Sequence, residues 1–205
     1  MKKSTLIRVG ALAALLLVAL CVLVFAGGAA LTFVSCSCRT SERDTRAAFS
    51  LDGIQPFRLE FGRGSGWHGL DTVKLDSEGD AILHRRTREQ SGNGYKEVWE
   101  TTRLKLSSAH VTELVQTVNR MTLLGMHKAY HDRNIADGTQ WVFWVRQGTG
   151  QKSIYFNNHF PSKIAEFAQY LDKLLEDCGL ANAKWQLVPD AEARQHERDI
   201  WDSIR

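Results

Sequence analysis

Phe57-Arg58-Leu59-Glu60-Phe61 alternates apolar and charged residues without a break. Successive side chains on a strand point to opposite faces, so the pattern predicts a strand with one buried and one solvated face. The segments around it follow the same logic. Segments 71–76 and 81–86 flank Ser77-Glu78-Gly79-Asp80, a short glycine-containing loop that predicts a hairpin. Ser91-Gly92-Asn93-Gly94 predicts another turn, followed by a long strand over 97–106. Trp141-Val142-Phe143-Trp144-Val145 is apolar at every position, which predicts a central strand. Gly148-Thr149-Gly150 then turns the chain into a partner strand over 152–156.

Two segments change period. Val111, Leu114, Val115, Val118 and Met121 recur at helical spacing behind Ser107 or Ser108 as the cap, with Gly125 as the stop. Ile164, Phe167, Ala168, Leu171, Leu174, Leu175 and Cys178 form a second stripe, opened by Pro161-Ser162 and closed by Gly179. Each helix carries one apolar stripe, so both are expected to cover the same sheet face. The expected fold class is α+β: an antiparallel sheet of about five or six strands with two main helices on one face, preceded by one transmembrane helix. This domain is assigned to 57–180. Residues 181–205 form an extension, with a short strand or packing segment over 185–188. A highly charged helix follows from Asp190 to about Ser203. Its apolar residues are few (Ala191, Ala193, Ile200, Trp201), so it either docks loosely or faces a partner.

The N-terminus is of another kind. Residues 9–38 contain no charged side chain, and the centre over 11–26 is almost wholly Leu, Ala and Val. A spanning helix needs about 20 apolar residues to cross a hydrocarbon core about 30 Å thick. Lys2, Lys3 and Arg8 precede the run, and the positive-inside bias keeps such a short tail, 1–8, in the cytoplasm. The domain is then expected outside the cytoplasm, on a polar tether over 39–56. Two other fates for 9–38 place it there as well. Ala26-Gly27-Gly28-Ala29-Ala30 offers small residues for signal cleavage. Phe33-Val34-Ser35-Cys36 resembles a bacterial lipoprotein box, which makes Cys36 the lipidation candidate. Membrane lipid is the partner expected for this segment.

Charge and cysteine usage narrow the function. Of 26 Lys+Arg, three precede residue 39, leaving 23 against 23 Asp+Glu in the rest. A neutral domain lacks the footprint that phosphate backbones select, so no nucleic-acid partner is expected. Cys21 lies in the apolar run, Cys36 and Cys38 at the membrane surface, and Cys178 at a helix end. That spacing carries neither a disulfide framework nor a zinc pattern.

Candidate chemistry is sparse. Gly64-Ser65-Gly66-Trp67-His68-Gly69 matches the glycine spacing of a dinucleotide loop, but a strand follows it where a helix is required, and no cofactor is expected. Its Trp67 and His68, displayed on a loop, are candidate interaction residues. Trp144 is a third, because alternation directs it away from the face the helices cover. His127 and His131, with Asp132, have the i, i+4 spacing that lets two imidazoles share a metal on a helix, but they lie past Gly125 and lack a catalytic glutamate. His159 sits in a strand-to-helix turn, with no motif naming a nucleophile for it. No catalytic residue is assigned.

The stretch 57–180 resembles a family of small bacterial envelope domains of unknown function. The resemblance rests on the hairpin Val73-Lys74-Leu75-Asp76-Ser77-Glu78-Gly79-Asp80, the helix start at Leu106-Ser107-Ser108, and the hairpin over 141–156 leading to Pro161. It implies an envelope location and no particular activity. The expected function is a membrane-anchored extracytoplasmic domain acting by contact with an unidentified envelope protein, as an inhibitor, immunity or accessory protein. The alternative is a metal-dependent or hydrolytic enzyme of envelope material, centred on His127, His131 and Asp132 or on His68 and His159.

Overall fold

A computed structural model describes residues 49–65, 68–92, 94–132, 134–135 and 138–203. Four strands form a meander: β1 (Phe57–Ser65), β2 (Gly69–Asp76), β3 (Asp80–Ser91) and β4 (Gly94–Lys105). Then come α1 (Ser108–Arg120), β5 (Ala129–His131), β6 (Thr139–Gln147) and β7 (Gly150–Asn157). The chain ends with α2 (Ser162–Asp177), β8 (Gln186–Val188) and α3 (Asp190–Ser203). The sheet has the order β5-β7-β6-β1-β2-β3-β4-β8. All neighbours are antiparallel except β5 and β7, which run parallel.

The sheet is thus eight-stranded and mixed, which corrects the expected antiparallel sheet of five or six strands. The strand outside the expectation, β5, and β8, expected over 185–188 as a short strand or packing segment, are each three residues long. That is too short for a two-residue alternation to declare itself. The helix account is corrected too, because α3 packs on the face opposite α1 and α2. The expected transmembrane helix over 9–38, the tail before it and Cys36 lie outside the described residues. Among the described residues, no helix is long and apolar enough to cross a membrane.

The glycine-rich stretch after Phe61 is largely strand. Gly62 and Gly64 belong to β1, and each marks a close approach. A Cβ on Gly62 would lie 2.7 Å from the Val142 side chain, and one on Gly64 would lie 2.0 Å from the Gly69 carbonyl oxygen. These glycines admit neighbouring strands, which is the structural use of glycine inside a sheet.

Alternation builds the main core. Phe57, Leu59 and Phe61 of β1 point to the same side as Val73 and Leu75 of β2 and Phe143 and Val145 of β6, and all are buried. The apolar stripes of α1 and α2 close over them. Ser107 caps α1 by accepting from the His110 N–H, and Gly179, at φ +91°, turns the chain at the end of α2. The Arg63 guanidinium makes a two-pronged bond to Asp172, tying β1 to α2.

Leu51 is also a core residue, 4% exposed, and its backbone is held at both ends by one side chain. The Leu51 N–H donates to Asn119 Oδ1 at 2.9 Å, and Asn119 Nδ2 donates to the Leu51 carbonyl at 2.8 Å. Asn119→Ala leaves both groups unpaired and is expected to cost about 2 kcal/mol. Thermal unfolding checks this, together with proteolysis, which should newly cut between 49 and 56. A variant as stable and as resistant as the parent would contradict it.

Candidate functional site

The second face of the sheet carries the residues that alternate with the core: Arg58 and Glu60 on β1, Thr72 and Lys74 on β2, His84 on β3, and Trp144 and Arg146 on β6. The helix α3 covers part of it. Ile200, 1% exposed, packs on Leu70 and Val142, and the Trp201 ring stands 5.8 Å from that of Tyr155. His196 pairs through Nε2 with Thr72 Oγ1 and stacks on His84, ring centroids 3.9 Å apart. Burial, reinforced by the nearby cations Lys74 and Arg103, pushes the His84 imidazole down to about 4. Burial, followed by His84 and Lys74, pushes His196 down to about 3. Both rings are therefore neutral near pH 7. Beside them Glu60 stands 3.7 Å from Lys74. Burial raises the Glu60 carboxyl, Lys74 opposes that shift, and Asp199 of α3 adds to it.

Past Glu60 the face opens into a cleft of about 370 Å³, walled by Arg58, Asp76, Glu78, Trp144, Arg146 and Gly148. The register explains its composition. Arg58 is directly opposite Arg146 across the β1–β6 pair, and Glu60 is opposite Trp144. Trp144 and Arg146 are two apart on one strand and so share a face. Trp144 is partly exposed, and its indole N–H is buried without a hydrogen-bond partner among the described residues. Arg58 and Arg146 are exposed, and among the described residues neither makes an ion pair. Other cations of the sheet do find acids: Arg85 pairs with Glu100, Arg86 with Glu97, and Lys105 with Asp80.

The residues singled out from sequence form no common site, although His127 and His159 both pack against Tyr130. His127, His131 and Asp132 do not lie on a helix, because the chain there enters β5. The His127 ring meets Tyr130 edge-on at 5.9 Å, whereas His131 contacts the ring of Tyr155. The Asp132 carboxylate accepts from the Asn134 N–H, as in a turn. His159 stacks on Tyr130 at 5.8 Å. His68 is exposed in the β1–β2 connection, 3.6 Å from Glu97 of β4. Among the described residues, no three His, Cys, Asp or Glu side chains converge as metal ligands. Trp67 and Cys36 lie outside the described residues. Trp144 alone of the named residues lines the cleft.

Arg58, Arg146 and the His84–His196 stack escape a reading of the sequence. The alternation around Phe57 places Arg58 on the solvated side but does not say which strand lies beside it. The spacing Trp144-x-Arg146 is the one signal that points to the cleft. Chemically the cleft combines two guanidiniums that supply paired donors, an indole that supplies apolar area, and the carboxylates of Asp76 and Glu78. The chain matches no protein-family model and no curated protein.

Proposed function

We propose that this chain is a membrane-anchored recognition domain of the bacterial envelope, acting by protein contact through the open part of its second sheet face. The observation that carries the proposal is Trp144, partly exposed beside two arginines that make no ion pair among the described residues. Aromatic and arginine side chains are the residue types that concentrate binding energy at interfaces. The charge-free run over 9–38 behind three cations supports the membrane location, and the resemblance over 57–180 supports an envelope setting. An inhibitor, immunity or accessory role fits a domain confined near a membrane surface.

The test is position-specific crosslinking in native membranes. A photoreactive residue replaces Ser153, the cross-strand neighbour of Trp144, in the full chain. A control places it at Lys173, exposed on α2. One discrete product is expected from position 153 and none from 173. Trp144→Ala should reduce that product at least about ten-fold, as loss of an interface anchor does. Equal labelling from both positions, or none from 153, would refute the proposal.

A further inference from the structure

We infer that the cleft seats a carboxylate from the partner, an aspartate or glutamate side chain held between Arg58 and Arg146 with an adjacent apolar residue laid on Trp144. The inference rests on the protein-contact proposal above and specifies the chemistry of the segment recognised.

The first support is the opposition of two like charges. Arg58 and Arg146 are direct cross-strand partners. Like charges placed so are destabilising, and nothing in the fold of the sheet requires them there. The nearest acid in the register makes no ion pair with either among the described residues. Asp76 is the Cα partner of Arg58 on the β2 side. Its Oδ1 instead accepts from the N–H groups of Glu78 and Asp80, both at 3.0 Å, and so holds the β2–β3 turn. Among the described residues, Arg146 bonds the Gly148 carbonyl alone, at 3.5 Å through Nε. Both guanidinium forks are thus left to receive a planar acceptor, and a carboxylate matches that geometry.

The second support is the acids on the β2 side of the cleft. Asp76 and Glu78 line the same cleft. A polyanion laid across it would meet those acids, whereas a single carboxylate can sit between Arg58 and Arg146, on the side of β1 away from Asp76. The partly exposed indole of Trp144 favours a ligand whose carboxylate sits next to an apolar group. An acidic side chain in an extended polypeptide, followed by an apolar one, has that form.

The test uses the full chain in detergent micelles and follows the ¹⁵N-indole signal of Trp144, assigned with Trp144→Phe. The probes are acetyl-Gly-Glu-Leu-Gly-amide, the same peptide with Gln for Glu, and inorganic phosphate. The Glu peptide is expected to bind with a Kd on the order of 1 mM, as for a small contact set. The Gln peptide, and the Glu peptide with Arg58→Gln or Arg146→Gln, should bind at least about ten-fold more weakly. Each arginine variant should keep its Tm, since both side chains are exposed and make no ion pair among the described residues. That separates lost binding from lost folding. Equal binding of the Glu and Gln peptides, absence of binding by either, or phosphate binding as tightly as the Glu peptide would overturn the inference. Crosslinking from position 153 distinguishes the two failures. A product that persists undiminished in the arginine variants leaves the contact proposal standing and removes the carboxylate. A product that never forms removes the contact proposal itself.

Discussion

Phe167→Ala is expected to lower the unfolding free energy by about 3–5 kcal/mol, which for a domain of this size is a fall in Tm of about 6–20 °C. Phe167 is fully buried in the apolar stripe of α2. Its ring meets Phe61 of β1 and Phe143 of β6 edge-on, each at 5.6 Å with interplanar angles of 85° and 86°. Those two strands are neighbours at the centre of the sheet, with Phe61 directly opposite Phe143. One side chain therefore joins α2 to both central strands. Its removal forfeits edge-to-face contacts and opens a void between layers that the sheet cannot close by local relaxation. Phe167→Leu keeps most of the volume and should cost under about half as much. Tyr95→Ala, at a site 76% exposed, should stay within about 0.5 kcal/mol. Thermal unfolding followed by near-ultraviolet circular dichroism orders the three. If Phe167→Ala melted alongside Tyr95→Ala, the packing account of the α2–sheet interface would be wrong.

Elements with a strong period are legible in the amino-acid order alone. The alternation from Phe57 to Phe61 and the stripe from Ile164 to Leu175 each fix a buried face, because a slip of one residue would expose it all. Ser107 and Gly179 are legible for a local reason, since a cap and a left-handed turn need no distant partner. What stays hidden depends on pairing between distant segments. Nothing in β1 says that the hairpin of β6 and β7 lies against it, so the Arg58–Arg146 opposition is invisible until register is known. The span of α3 is legible, from Asp190 to about Ser203, but its docking is concealed differently. It is anchored by His196 and Ile200, four residues apart, within a helix otherwise rich in charge. A buried histidine is not counted as apolar by any pattern, yet here it lies on the core side of the helix.

That histidine makes the attachment of α3 sensitive to acid, and α3 is expected to lose its hold on the sheet as pH falls from 7 to 5. His84 and His196 are 9% and 7% exposed and are held neutral. Free of the interface, an imidazole titrates near 6.5, so the undocked state binds more protons below that pH. Docking is fully favoured above about 6.5 and weakens as pH drops towards the lowered values of about 4 and about 3. Each ring contributes about 1.4 kcal/mol per pH unit inside the window. Charged groups facing the pair modify this. Lys74 of β2 and Arg103 of β4 stay on the sheet and keep depressing His84 after α3 leaves, which trims its share. Glu60 of β1, raised by burial and by Asp199 of α3 against the pull of Lys74, takes up protons more readily when docked and acts with the opposite sign. One carboxyl works against two imidazoles, so the net loss from pH 7 to 5 is about 2–4 kcal/mol, roughly 30-fold or more in the docking equilibrium. Hydrogen exchange, corrected for intrinsic rates, should show protection of 190–203 collapsing at pH 5 while α2 keeps its own. His84→Gln combined with His196→Gln should remove most of the pH dependence while Ile200 still seats the helix against Leu70 and Val142. Protection of α3 that is the same at pH 5 and pH 7 in the unaltered chain would show that the stacked pair does not govern its docking.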